Sequence, residues 1–224
     1  MTGTLVNAAA VLAGGSLGLL LHSRIPQRLS RAAFEAIGLF TLALGFSMAI
    51  RTHSFLVVIL SVVVGALVGS AVHLERGAER IGDRLRARLG SRDSRFTEGM
   101  VSAFMLFCMG SMTVLGALEE GLGNGCDLLL AKSLLDGFAS LALASAMGVG
   151  VLFAIFPLLL YQGGLTLLGR LLEGGLPVAA VDEMSAVGGV LLLGLGIRIL
   201  ELRKVSVLDL LPALPLAVLF HFLL

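Results

Sequence analysis

The sequence predicts an all-α fold, a polytopic transmembrane helix bundle of about eight helices, with discontinuous segments, forming a single integral membrane domain over residues 1–224. Three observations carry this. Apolar residues make up 57% of the chain and charged residues 14%, and the mean hydropathy is +1.01, values that exclude a water-soluble domain. Apolar runs recur at the length of roughly 20 residues that a helix needs to cross a hydrocarbon core of about 30 Å. The basic residues fall between these runs instead of covering one face, so the formal net charge of +1 points to no nucleic-acid partner. The Ala/Leu/Gly-rich runs lack the alternation of outer-membrane barrel strands, which leaves helices as the spanning element.

In order, the apolar runs place helices at 3–22, 33–50, 55–74, 99–118, 127–147, 149–169, 176–200 and 207–224. The first has no Lys or Arg before it and no convincing cleavage site, so it reads as a retained span and not a signal peptide. The stretch 127–169 is too long for one crossing and divides at Met147-Gly148-Val149-Gly150, where two glycines permit a reversal; seven helices with one re-entrant segment is the fallback. Pro157, the Gln162-Gly163-Gly164 string, and Pro212 and Pro215 interrupt later spans. Each reads either as a packing kink or as the discontinuity that transporters use to hold ions.

Loop charge gives an orientation. With the N-terminus outside, Arg24, Arg28 and Arg31, the seven arginines of loop 75–98, and Arg203 with Lys204 all face the cytoplasm. The opposite loops hold only Arg51 and Arg170, and both termini lie outside. Within loop 75–98, Ala78, Ile81, Leu85 and Leu89 recur at helical spacing opposite Arg76, Arg80, Arg84 and Arg88. This predicts an interfacial amphipathic helix at about 75–90 with a lipid-facing role.

Glycine numbers 29 and clusters in spans, as in Gly14-Gly15-Ser16-Leu17-Gly18, Gly65 and Gly69, and Gly188-Gly189 with Gly194 and Gly196. Small residues let helices approach closely in lipid; a pore lined by glycine backbone is the alternative. An echo of Leu44-Gly45-Phe46-Ser47-Met48 in Met109-Gly110-Ser111-Met112 is too short to define an internal repeat. Cys108 and Cys126 have no metal spacing and imply no disulfide framework, and the four histidines, His22, His53, His73 and His221, read as interfacial side chains. No G-x-S-x-G, P-loop or H-E-x-x-H string occurs, so an enzyme is not expected, and no cofactor beyond a bound Na+ or H+ is implied.

Polar residues inside the spans carry the functional reading. Asn7, Lys132, Ser133, Asp136, Gln162, Asp182, Glu183 and Ser185 are the candidate ion- or substrate-binding residues, with Glu119 and Glu120 as a gate or outer vestibule and any metal unknown. At 1.5 Å per residue, Asp136 lies about 13 Å and Glu183 about 10 Å into its helix. Carboxylates at that depth need a counter-charge. One arrangement is a structural Lys132–Asp136 pair at i,i+4; the sharper one puts Asp136 and Glu183 in one cavity with Lys132 and Asn7, where a cation or proton competes with Lys132.

Five strings add a resemblance: Gly3-Thr4-Leu5-Val6-Asn7; the run 107–121, with Cys108-Met109-Gly110-Ser111-Met112-Thr113 and Glu119-Glu120-Gly121; Lys132-Ser133 with Leu135-Asp136-Gly137; Tyr161-Gln162-Gly163; and Glu183-Met184-Ser185-Ala186-Val187-Gly188-Gly189. Together they resemble, almost end to end, the YqgA/YdfK-like family of bacterial inner-membrane proteins. The resemblance implies a domain of unknown function that has been described as a candidate sodium channel or pump, and it makes these positions candidates without an established role. The function expected is therefore a transporter or channel for a small ion or polar solute, with a non-transporting scaffold or regulatory subunit as the alternative. The lipid bilayer and a second copy of the chain are the expected partners.

The orientation makes a direct prediction. A cysteine placed at Asn124 and a reporter after Leu224 should be accessible from outside intact cells, and a cysteine at Arg88 should be labelled only after permeabilisation. Labelling at Arg88 from outside would reverse the topology.

Overall fold

A computed structural model describes residues 1–22, 27–88, 95–171 and 177–224. Arg24, Leu89 and Arg92 of the sequence reading lie outside the described residues, as do the side chains of Arg31 and Leu85. The helices are α1 (Thr2–His22), α2 (Gln27–Ala49), α3 (Phe55–Val72), α4 (Leu74–Arg88), α5 (Phe96–Cys108), α6 (Ser111–Leu122), α7 (Asp127–Met147), α8 (Gly150–Phe153), α9 (Ile155–Leu171), α10 (Val178–Ile199) and α11 (Ala213–Leu223), with one 3-10 turn at Val207–Leu210. No strand occurs among the described residues. Five helical segments, α1, α3, α7, α8 with α9, and α10, are long and apolar enough to cross a membrane, and the bent pair α5 and α6 is either a broken sixth span or a re-entrant loop. Shorter apolar helices cover Glu35–Ala49 and Val207–Leu223. The chain is thus an all-α membrane helix bundle whose apolar segments match the runs read from the sequence.

Three details differ from that reading. The span expected to run unbroken over 99–118 is two helices, α5 and α6, bent by 62°. Gly110 lies at the break, and the Thr113 hydroxyl donates to the Phe107 carbonyl at 2.8 Å, taking up a carbonyl that the broken ladder leaves open. Pro157 lies within the Gly150–Leu171 segment, but in the first turn of α9 and three residues after the break at Ala154, where its missing N–H costs α9 no helical bond. Pro212 immediately precedes α11 and Pro215 lies in its first turn, so the last span begins as a 3-10 turn and the prolines start the helix instead of kinking it. The expected reversal at 147–150 is present, with Gly148 at φ +77° ending α7, so the stretch holds two segments long enough to cross a membrane, α7 and α8 with α9.

By their internal contacts the described residues fall into two compact units interleaved along the chain. The first comprises Met1–Phe34, Leu85–Cys108 and Met112–Leu176, and the second Glu35–Arg84, Met109–Ser111 and Pro177–Leu224.

In the first unit α1 and α7 run parallel with their backbones in near contact. Gly3 sits against Leu129 and Gly18 against Leu141, while a methyl on Gly14 would run into the Gly137 carbonyl and the Ser140 hydroxyl. That hydroxyl also donates to the Val11 carbonyl at 3.1 Å, an interhelical bond that only such an approach allows. Gly169 meets the Leu118 carbonyl in the same manner, seating α9 on α6.

In the second unit α2 and α10 are antiparallel. A methyl on Gly45 would lie 2.7 Å from the Gly189 carbonyl oxygen and one on Gly196 3.1 Å from that of Gly38, so two glycines seven residues apart on each helix meet in reverse order. Gly65 and Gly69 of α3 likewise lie against Ala213 and Asp209. One end of this unit carries Thr52-His53-Ser54 beside Glu183. At the other end Arg198 of α10 meets Glu75 of α4, next to the segment that holds Arg203 and Lys204.

Because carbonyl oxygens back Gly14, Gly14→Val should cost roughly 1–3 kcal/mol or more of stability, whereas Gly164→Ala in α9 points into open space and should be tolerated. Thermal unfolding of the purified variants in detergent compares the two, and equal tolerance would contradict the α1/α7 packing.

Candidate functional site

The first unit assembles most of the candidate residues into one buried cluster. Asn7 of α1, fully buried, donates through Nδ2 to Asp136 Oδ2 at 3.0 Å and to Gln162 Oε1 at 3.0 Å, so a single amide joins α1, α7 and α9. Lys132 Nζ binds the same Asp136 oxygen from one turn earlier on α7. Asp136, an acceptor, requires the amino side of Asn7. Asn7 then requires the carbonyl side of Gln162. This ordering leaves Asn7 Oδ1 and Gln162 Nε2 buried with no partner among the described residues, one an acceptor and the other a donor. Ser133 turns away and donates to its own helix at the Leu129 carbonyl, 2.7 Å.

A track of oxygens leads from this cluster to the start of α1. Thr166 donates to the Gln162 carbonyl at 3.1 Å, and its hydroxyl lies 3.4 Å from that of Thr4. Thr4 lies 3.4 Å from Glu120 Oε2, and Glu120 Oε1 accepts the Gly3 N–H at 2.7 Å. Glu120 therefore does stand at the end of a polar path, whereas Glu119 is exposed and takes no part in it.

Glu183, fully buried near the start of α10, belongs to the second unit and has its own partners. Its Oε1 accepts the backbone N–H groups of His53 at 2.7 Å and Ser54 at 2.9 Å, and its Oε2 accepts the Thr52 hydroxyl at 2.6 Å. Ser54 is the N-cap residue of α3 and His53 precedes it, so Glu183 holds the turn that enters that helix from another part of the chain. The neighbouring Asp182 lies 3.5 Å from the His53 ring, and the Ser185 hydroxyl is buried without a protein partner. Asp136 is thus partnered with Lys132 and Asn7 inside the first unit, and Glu183 with Thr52, His53 and Ser54 inside the second.

Thr4, Thr166, Thr52 and His53 were not among the sequence candidates. Thr166 could have been found, since it lies four residues after Gln162 on the same helical face, and Thr4 lies three before Asn7 on its own helix. His53 was read as an interfacial side chain, and nothing in its local sequence announces a partner 130 residues away. No group of three or more His, Cys, Asp or Glu side chains able to hold a metal occurs among the described residues.

If Glu183 holds the turn into α3, then Glu183→Ala, which strands two backbone donors and a hydroxyl, should cost about 2–3 kcal/mol, and Thr52→Ala about 1 kcal/mol. Unfolding midpoints in detergent measure both; a Glu183→Ala protein as stable as the parent would remove that role.

The chain matches over residues 2–222 the family model described as Protein of unknown function (DUF554). It is 32% identical over 220 residues to the uncharacterized protein YqgA of Escherichia coli (strain K12), covering 96% of this chain and 94% of that one. It is 31% identical over 219 residues to the uncharacterized membrane protein YdfK of Bacillus subtilis (strain 168), covering 96% and 93%. No solved structure gives a significant match. Matched over residues 2–222 and to both relatives over 96% of its length, this chain belongs to the DUF554 family of YqgA/YdfK-like membrane proteins.

Proposed function

We propose that the chain is a transporter or channel for a small cation, Na+ or H+, or a small polar solute, working as a multi-pass protein of the bacterial inner membrane with both termini outside. The observation that carries this is the difference between its two buried carboxylates. Glu183 is held by two backbone N–H groups of the turn that enters α3 and by the Thr52 hydroxyl. Asp136 is held by the ends of two side chains, the Lys132 ammonium and the Asn7 amide. Side-chain donors swing aside by bond rotation; backbone donors move only with the chain. Asp136 is thus the exchangeable acceptor, and Lys132 serves as its tethered counter-cation.

A permeant cation would replace Lys132 at Asp136 and take Asn7 Oδ1, whose position is set by the carboxylate itself, as a second oxygen. The Glu120–Thr4–Thr166 oxygens supply a route to the site from the start of α1. Competition between an ammonium and a mobile cation for one carboxylate is a way to couple loading to a change of conformation, because the displaced lysine needs a new place in a medium that tolerates no unpaired charge. The chain has no ATP-binding motif, which favours passive or gradient-coupled movement. The scaffold reading draws on a specific fact as well: the Lys132–Asp136 pair is already neutral and could serve only to join helices.

Purified protein in liposomes decides between them. The transport reading expects dissipation of an imposed Na+ or H+ gradient, reduced at least about tenfold by Asp136→Asn and weakened by Asn7→Leu, with Leu134→Ala on the lipid-facing side unaffected. Wild-type protein that moves nothing, or an Asp136→Asn variant with full flux, would leave the scaffold reading standing.

A further inference from the structure

The amphipathic helix α4 is fastened to the second unit at one point. α3 ends at Val72, and His73 alone, in the left-handed conformation (φ 59°, ψ 45°), turns the chain into α4 at Leu74. A helix that starts one residue beyond an apolar span begins at the bilayer surface. There Glu75, buried, accepts Leu208 N–H through Oε2 at 2.9 Å and binds Arg198 Nη1 through Oε1. Its own N–H donates to Asp209 Oδ1 at 2.9 Å. Glu75 therefore caps the 3-10 turn that leads into α11, while Asp209 caps α4 in return, and Arg198 ties both to the last turn of α10. Two capping bonds and one ion pair fix where α4 starts and how it is rotated.

That rotation decides which residues face outward. Glu75 and Gly82 are buried against the unit, whereas Arg76, Arg80, Arg84 and Arg88 are exposed and follow one another at steps of four, drifting only about 40° each around the helix. Ile81, 57% exposed, lies beside them with the partly covered Leu74 and Ala78. Helix α4 carries five arginines against Glu75, Glu79 and Asp83, and Glu75 is spent on Arg198, so the outward surface is net positive.

We propose that this face of α4 docks on anionic phospholipid headgroups of the host bilayer, with Ile81 at the acyl boundary, and that the Glu75–Arg198–Asp209 clasp holds it in that pose. The occupant follows from position and charge together: the helix starts where a span leaves the membrane, it offers guanidinium groups in a row along one side, and phosphate is the group such a row pairs with. The clasp also links headgroup binding to the ends of α10 and α11.

Full-length protein in nanodiscs of phosphatidylcholine, alone or with about one-third phosphatidylglycerol, tests this through the shift in unfolding midpoint and its loss on adding salt. Wild type should be stabilised by the anionic lipid. Arg76→Gln with Arg80→Gln and Arg84→Gln should lose most of that shift while keeping its midpoint in neutral lipid, each arginine weakening the preference by roughly twofold to fivefold. The clasp makes a prediction of opposite sign to net charge. Glu75→Ala and Asp209→Ala each add one positive charge yet should reduce the phosphatidylglycerol shift, whereas Arg203→Gln, outside the clasp, should leave it nearly intact. A triple-arginine variant that keeps the full shift overturns the lipid face. Glu75→Ala and Asp209→Ala shifts that grow with the added charge overturn the clasp, and Asp209→Ala, which removes only the α4 cap, carries that arm alone if Glu75→Ala does not purify.

Discussion

Asp136 accepts from Lys132 on its own helix and from Asn7 on α1, and Asn7 in turn donates to Gln162 on α9. In hydrocarbon none of these side chains is tolerable alone. Each brings a helix with it, so the need to pair one carboxylate sets how three helices meet. The same constraint recurs in the second unit, where Glu183 answers the turn that enters α3 and Glu75 answers the turn leading into α11. Among the described residues the buried carboxylates Glu75, Asp136 and Glu183 each join one segment of the fold to another.

Close packing makes those pairings reachable. Hydrogen bonds of 3 Å between side chains as short as Asn and Asp require backbones that nearly touch, and lipid provides no hydrophobic drive to push helices together. Glycines at 14 and 18 on α1, and at 38, 45, 189 and 196 on α2 and α10, remove the side chains that would keep the backbones apart. The expected glycine role in packing is met by these carbonyl-facing positions. The polar cluster and the glycine seams are therefore one design: without the seams the amide of Asn7 would not reach α7.

Two carboxylates with similar burial differ in what holds them. Backbone donors move only with the chain and a lysine turns about four rotatable bonds, so the chemistry of the donors, more than the depth of the acceptor, separates a structural acid from one that can exchange its partner. The clasp at Glu75 follows the structural pattern, with the backbone N–H groups of Leu208 and Glu75 as donors, and it fixes the start of the arginine-bearing helix α4.

The amino-acid sequence by itself determined the helical membrane class, the positions of the apolar segments, the reversal at Gly148 and the amphipathic helix that became α4. Hydropathy, loop charge and helix-breaking glycine act over a few residues, and a bilayer imposes its length requirement on each segment separately. Which polar groups meet was a matter for the tertiary structure. Asn7 and Gln162 are 155 residues apart, and Glu183 is 131 from Thr52. Their pairing depends on the register of helices packed through glycine, which no local pattern encodes. The break at Gly110 and the harmless place of Pro157 belong to the same class, since whether a glycine or a proline interrupts a helix depends on where its backbone groups find partners. The partners that Asp136 and Glu183 take do too: a carboxylate in lipid announces that it has a partner, and only the folded chain says which.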